Sequence, residues 1–140
     1  MAHRPNTTEG AVKKTAAELV REANAEIETL SVADARALLG QDGVRFVDIR
    51  DIRELQKLGK ITGAVHAPRG MLEFWVDPES PYHREVFASG DKLILYCASA
   101  WRSALATKTL QDMGLDNVCH LEGGFTAWTE AGGDTEALSR

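Results

Sequence analysis

The sequence predicts an α/β protein: a mostly parallel central sheet flanked by helices, with an added helix at the N-terminus. Three observations predict it. Short runs rich in Val, Ile and Leu alternate with segments whose apolar residues recur every three or four positions, the order expected of strand–helix units. The run from Lys92 to Tyr96 is apolar almost throughout, which suits a central strand covered on both faces. Cap and stop residues bracket the helical segments: Ser31 and Asp51 at starts, Gly40, Gly59 and Gly114 at ends.

Residues 1–10 are polar and read as a frayed end. Val12, Ala16, Leu19, Val20, Ala23 and Ile27 then line one face of a helix over about 11–26, with Lys, Arg and Glu on the other. That face packs on its own domain or serves as a homodimer contact. Its mixed charges argue against a membrane surface. Residues 27–30 read as a short strand, 32–39 as a helix capped by Ser31, and 44–49 as a second strand. Asp51 caps a helix carrying Ile52, Leu55 and Leu58. Residues 61–65 suggest a short strand interrupted by Gly63, and 71–75 one or two helical turns. After the turn chemistry of Asp77-Pro78 and Ser80-Pro81, 82–88 suggest a short helix. The central strand is followed by a helix from Ser103 to about Met113, a strand over 117–121, and a last helix after Gly123-Gly124 carrying Phe125, Trp128 and Ala131. The reading divides the chain into an N-terminal extension (1–26), one domain (27–133) and a flexible tail (134–140).

Composition excludes several classes. At 140 residues, 44% hydrophobic and 26% charged, the chain has the make-up of one soluble globular domain. A net charge of −5 offers no basic field for nucleic acid or anionic lipid. No apolar run approaches the roughly 20 residues that span a bilayer, and the first residues lack the apolar core of a secretory signal. Two cysteines make no disulfide framework, so a reducing, cytoplasmic setting is expected.

The chemistry concentrates after the central strand. Cys97 sits where that strand ends, followed by Ala98, Ser99, Ala100, Trp101, Arg102 and Ser103, with the helix beyond. Open α/β sheets place ligands at the carboxyl ends of their strands. Loop N–H groups and the unpaired N–H groups of a new helix can converge on the sulfur, and Arg102 adds a positive charge. These influences favour a thiolate, the nucleophilic form. Cys119, mid-strand, reads as an inert core residue. Asp48 and Arg50 follow a buried strand. They read as a surface pair, a structural link to the Cys97 loop, or an anion contact, with Arg69 a further candidate at the same edge. A Trp at position 101 suggests an acceptor or partner surface. No metal site is expected: Cys119 and His120 should point to opposite faces, and His66 and His83 have no ligand spacing with either cysteine. The four histidines read as turn or surface residues.

The chain resembles the rhodanese-like domains, the single-domain sulfurtransferases, over about 27–133. The resemblance rests on Phe46-Val47-Asp48-Ile49-Arg50, then Gly63-Ala64-Val65-His66-Ala67-Pro68, then Tyr96-Cys97 through Arg102-Ser103, then Leu121-Glu122-Gly123-Gly124-Phe125 with Trp128-Thr129-Glu130-Ala131-Gly132. Lys60 stands where a His is common, and Asp134 rather than proline follows Gly133. The resemblance implies a rhodanese-like fold and a Cys97 persulfide cradled by the next amides. It implies that Asp48 and Arg50 support the loop and the anionic substrate, and that no cofactor is needed. Related phosphatases place five residues between Cys and Arg, whereas four stand here, a tighter ring suited to one sulfur atom. The implied activity moves a sulfane sulfur from thiosulfate or a related anion to cyanide or a thiol. Alternatives are a protein-to-protein persulfide relay, a Cys-dependent phosphatase or arsenate reductase, and a non-catalytic interaction module. The N-terminal helix lies outside the resemblance and carries no candidate catalytic group. Deleting residues 1–25 is therefore expected to leave the chemistry intact.

Overall fold

The structure, a computed structural model, describes residues 12–138. Five parallel strands form the main sheet in the order β1-β6-β5-β2-β4: β1 (Glu28–Leu30), β2 (Val44–Asp48), β4 (Val65–His66), β5 (Lys92–Tyr96) and β6 (Val118–Leu121). Helices α2 (Val32–Leu38), α3 (Ile52–Leu58), α4 (Leu72–Val76), α5 (Trp101–Asp112) and α6 (Gly124–Glu130) connect or follow them. This is the α/β architecture read from the sequence.

Side-chain alternation along β5 builds two cores. Leu93 and Leu95 face Leu72, Phe87, Ala106 and Leu110 on one side of the sheet, and Cys97 continues that row. Ile94 and Tyr96 face Phe46, Leu121, Phe125 and Trp128 on the other. Burial on both faces is why this strand lacks a polar side. Asp48 pairs in register with Tyr96 on one flank and with His66 on the other, so the ends of β2, β4 and β5 share one sheet edge.

Several boundaries differ from the sequence reading. Helix α1 spans Ala16–Asn24 instead of about 11–26, because Thr15 starts it with a reciprocal capping box to Glu18. Val12 lies outside it, exposed, and residues 1–10 lie outside the described residues. Val20 and Ala23 of α1 pack with Ala104 of α5, so part of its apolar face is used within the chain. Residues 61–65 are not one strand: β3 (Lys60–Ile61) and β4 belong to different sheets. Residues 82–88 contain only a 3₁₀ turn, Glu85–Ala88. The segment after Gly133, read as flexible tail, carries β7 (Thr135–Glu136), antiparallel to β3. Asp134 O accepts from Trp128 Nε1 at 2.9 Å, and Glu136 accepts from Lys60 Nζ at 2.6 Å. The chain doubles back because Trp128 and Lys60 hold it, and Lys60, 76 residues away in sequence from Glu136, is a partner that composition does not reveal. Among the described residues no helix is long and apolar enough to cross a membrane.

Candidate active site

Strand β5 delivers Cys97 to the sheet edge, and α5 begins sooner than expected, at Trp101 instead of Ser103. The early start depends on Ala100, whose φ of 79° makes it the only non-glycine residue with positive φ among those described. A left-handed alanine is strained. The strain accompanies an inward-facing amide: Ala100 N lies 3.2 Å from Cys97 Sγ, and Ser103 N lies 3.4 Å away. Both donate toward sulfur at the N-terminal end of a twelve-residue helix, where the aligned peptide dipoles favour negative charge.

A second helix braces this loop from behind. Phe125 N donates to Cys97 O at 2.8 Å, and Thr126 N to Ala98 O at 3.1 Å. The approach is close enough that a Cβ on Gly124 would lie 2.5 Å from Cys97 O. Cys97 is only 1% exposed. Trp101 is 52% exposed at the loop's outer side.

Arg102 meets a partner that the sequence reading did not single out. Its Nη1 and Nη2 donate to Glu54 Oε2 and Oε1 at 2.9 and 3.1 Å, a two-pronged pair. These bonds hold the Glu54 carboxyl below its usual range. They also raise the Arg102 pKa, with a smaller contribution from the nearby Cys97 sulfur. Glu54 also caps its own helix through Asp51 N at 3.0 Å. Its position three residues after Asp51 signals that cap, while the reach to Arg102 appears only in three dimensions.

Asp48 and Arg50 are completely buried, which excludes the surface-pair reading. Arg50 Nε and Nη2 donate to Asp48 Oδ1 and Oδ2 at 2.9 and 2.7 Å, and Nη2 also donates to Gly59 O at 2.7 Å. The guanidinium lies 4.2 Å from the Phe125 ring centroid. Burial opposes its charge, but the bonds and charge of Asp48 outweigh this and its pKa rises. The pair thus links β2 to α6, the helix that braces the Cys97 loop. It has no exposed surface through which to meet an anion. Arg69 N donates to Ile49 O at the same sheet edge, but its Nη1 donates to Glu73 at 2.9 Å, within its own helical segment.

His120 was not recognised from the sequence. It is 1% exposed, not a turn or surface residue. Its Nδ1 lies 2.9 Å from Ser103 Oγ, which lies 3.6 Å from Cys97 Sγ. Burial pushes its pKa down to about 4, leaving the ring neutral. The available signal was strand alternation: in Val118–Leu121 the side chain facing away from Cys119 must enter the α5 side of the core. Cys119 itself is fully buried in the opposite core, its thiol pushed up to about 11 by burial. The two cysteines are free thiols.

This geometry can hold negative charge on one sulfur atom, with a cation at the mouth and nearly all water excluded. The family model described as rhodanese-like domain matches residues 31–131. An uncharacterized protein of Synechocystis is 34% identical over 74% of this chain and 53% of its own length, so the chain spans about half of that relative. Thiosulfate sulfurtransferase 16 of Arabidopsis thaliana is 32% identical over 78% of this chain and 92% of its own. A solved structure from Rhodopseudomonas palustris, described as a protein of unknown function and possible tyrosine phosphatase, is 52% identical. It covers 90% of this chain and 97% of its own, with a TM-score of 0.87.

Proposed function

The chain belongs to the rhodanese-like domain family, and from that premise we propose that it transfers a sulfane sulfur from thiosulfate or a related donor through a persulfide on Cys97. The observation that carries this reading is the convergence of the Ala100 and Ser103 amides on a single sulfur within a loop of four residues between Cys97 and Arg102. The Cys97 thiolate attacks the outer sulfur of thiosulfate. The thiosulfate S–S bond breaks and its electron pair leaves with sulfite, whose charge Arg102 meets at the mouth. Cyanide or a thiol then attacks the outer persulfide sulfur, and the pair from the broken S–S bond returns to Sγ. This is covalent, two-step catalysis. A protein acceptor, meeting exposed Trp101, uses the same chemistry.

The description of the Rhodopseudomonas structure raises phosphoryl transfer as a second reading. One feature opposes it: the loop of four residues between Cys97 and Arg102, shorter than the five that the related phosphatases place there. Thiocyanate production from thiosulfate and cyanide decides the matter. Wild type and Cys119→Ser should turn over and Cys97→Ser should not. Aryl phosphate hydrolysis faster than sulfur transfer would reject the proposal.

A further inference from the structure

A hydrogen-bond chain leads away from the thiol. From Cys97 Sγ it passes through Ser103 Oγ to His120 Nδ1, and from His120 Nε2 to Asn24 Oδ1 of α1 at 3.0 Å. Thr29 Oγ1 of β1 lies 3.2 Å from the same Nε2. Asn24 and Thr29 both precede the family match at residue 31. We propose that His120 is a positioning residue for Cys97, orienting the Ser103 hydroxyl beside the sulfur, and that Asn24 of the N-terminal helix sets which way it points.

The argument is an accounting of protons. Ser103 has one hydroxyl proton and two neighbours that could take it, Sγ and His120 Nδ1. A neutral imidazole carries one N–H, so it donates at one nitrogen and accepts at the other. Asn24 Oδ1 can only accept, which puts the ring proton on Nε2. Nδ1 must then accept, and it draws the Ser103 hydroxyl proton to itself. Ser103 consequently turns a lone pair toward Cys97 and receives the S–H, favouring the thiol against the pull of the two amides. Thr29 acts the other way: its hydroxyl can donate to Nε2 only when the ring proton is on Nδ1. In that tautomer Nδ1–H donates to Ser103 Oγ, freeing the hydroxyl proton to donate to sulfur and stabilise the thiolate. The charged groups near the sulfur, Arg102 of α5 and Glu54 of α3, belong to the mouth. On the inner side α5, α1 and β1 present the neutral Ser103, Asn24 and Thr29, and burial alone depresses the His120 pKa.

This inference concerns the same thiol as the sulfur-transfer reading, but its test is thiol reactivity, measurable whether or not sulfur moves. Asn24 is exposed at the end of α1, so its substitution leaves the core intact. Alkylation of Cys97 by iodoacetamide is followed against pH in the full chain, with the modified peptide identified by mass. Asn24→Ala should raise the rate at neutral pH roughly two- to tenfold, the worth of one hydrogen bond to the sulfur, and move the profile to lower pH. Asn24→Asp, which keeps an acceptor on Nε2, should not accelerate it. In a Ser103→Ala background, Asn24→Ala should have no effect. ¹⁵N NMR of the wild-type ring should show the proton on Nε2. Superimposable profiles for Asn24→Ala and wild type would overturn the proposal. So would a shift that persists without the Ser103 hydroxyl, or a wild-type ring protonated on Nδ1.

Discussion

Gly124→Ala tests whether the loop's shape depends on the helix behind it. Gly124 has φ +65°, and an added Cβ would lie 2.5 Å from Cys97 O and 2.7 Å from the carbonyl carbon and oxygen of Ala98. All three are backbone atoms, so no side chain can swing aside. The loop and the start of α6 must separate by roughly 1 Å to reach ordinary contact distance. The left-handed alanine and the overpacking together cost roughly 2–5 kcal/mol, a fall in Tm on the order of 10 °C. The catalytic effect should be larger, because the carbonyl displaced first belongs to Cys97. A misplacement of about 1 Å can cost roughly 100-fold in rate. Gly40→Ala is the control: φ there is +82°, but nothing lies within 4 Å of the added Cβ. It should lower stability by roughly 1–2 kcal/mol and leave turnover unchanged. Thermal unfolding and thiosulfate:cyanide kinetics of the two variants give the answer. Equal losses of stability and no loss of turnover in Gly124→Ala would refute the reasoning.

Three further outcomes are expected. Arg50→Leu leaves Asp48 buried without its partner and should destabilise the fold by about 3–5 kcal/mol in urea unfolding; a change below about 1 kcal/mol would contradict the buried-pair assignment. His120, with a folded pKa of about 4 against an ordinary 6.5, stays neutral while the unfolded chain takes up a proton. Its contribution is therefore fully present above about pH 6.5 and lost as pH falls toward 4, on the order of 3 kcal/mol in all. His120→Gln should flatten that part of the stability–pH curve. Glu54→Gln retains the helix cap but removes the charge opposing Arg102. The KM for thiosulfate should fall roughly two- to fivefold, with kcat little changed, in steady-state kinetics; an unchanged KM would show that the pair does not limit anion binding.

The central sheet was legible because strand β5 is apolar on both sides and its neighbours carry the cap and turn residues that delimit helices. The position of Cys97 followed from the same pattern. The start of α5 did not, because Ala100 adopts a conformation that its residue type disfavours. Two site residues escaped for a different reason. Glu54 reads locally as a helix cap and His120 as a polar residue in a strand; their partners, Arg102 and Ser103, are 48 and 17 residues away in sequence. The contacts that residues 1–25 make with the rest of the chain were hidden for the same reason. Asn24 bonds to His120, and Val20 and Ala23 pack on the helix that begins beside the thiol. Burial also decided between the readings of Asp48 and Arg50, which residue types alone could not do.

The central claim is that one sulfur atom is carried on Cys97, and intact-mass spectrometry tests it most directly. Protein incubated with thiosulfate and freed of small molecules should gain the mass of a single sulfur, localised to the Cys97 peptide. The gain should vanish on addition of cyanide, with thiocyanate released in equal amount. Cys97→Ser should gain nothing, and Cys119→Ser should behave as wild type. An unmodified wild-type mass after exposure to thiosulfate and to polysulfide, or a cyanide-labile sulfur found on Cys119, would contradict the account.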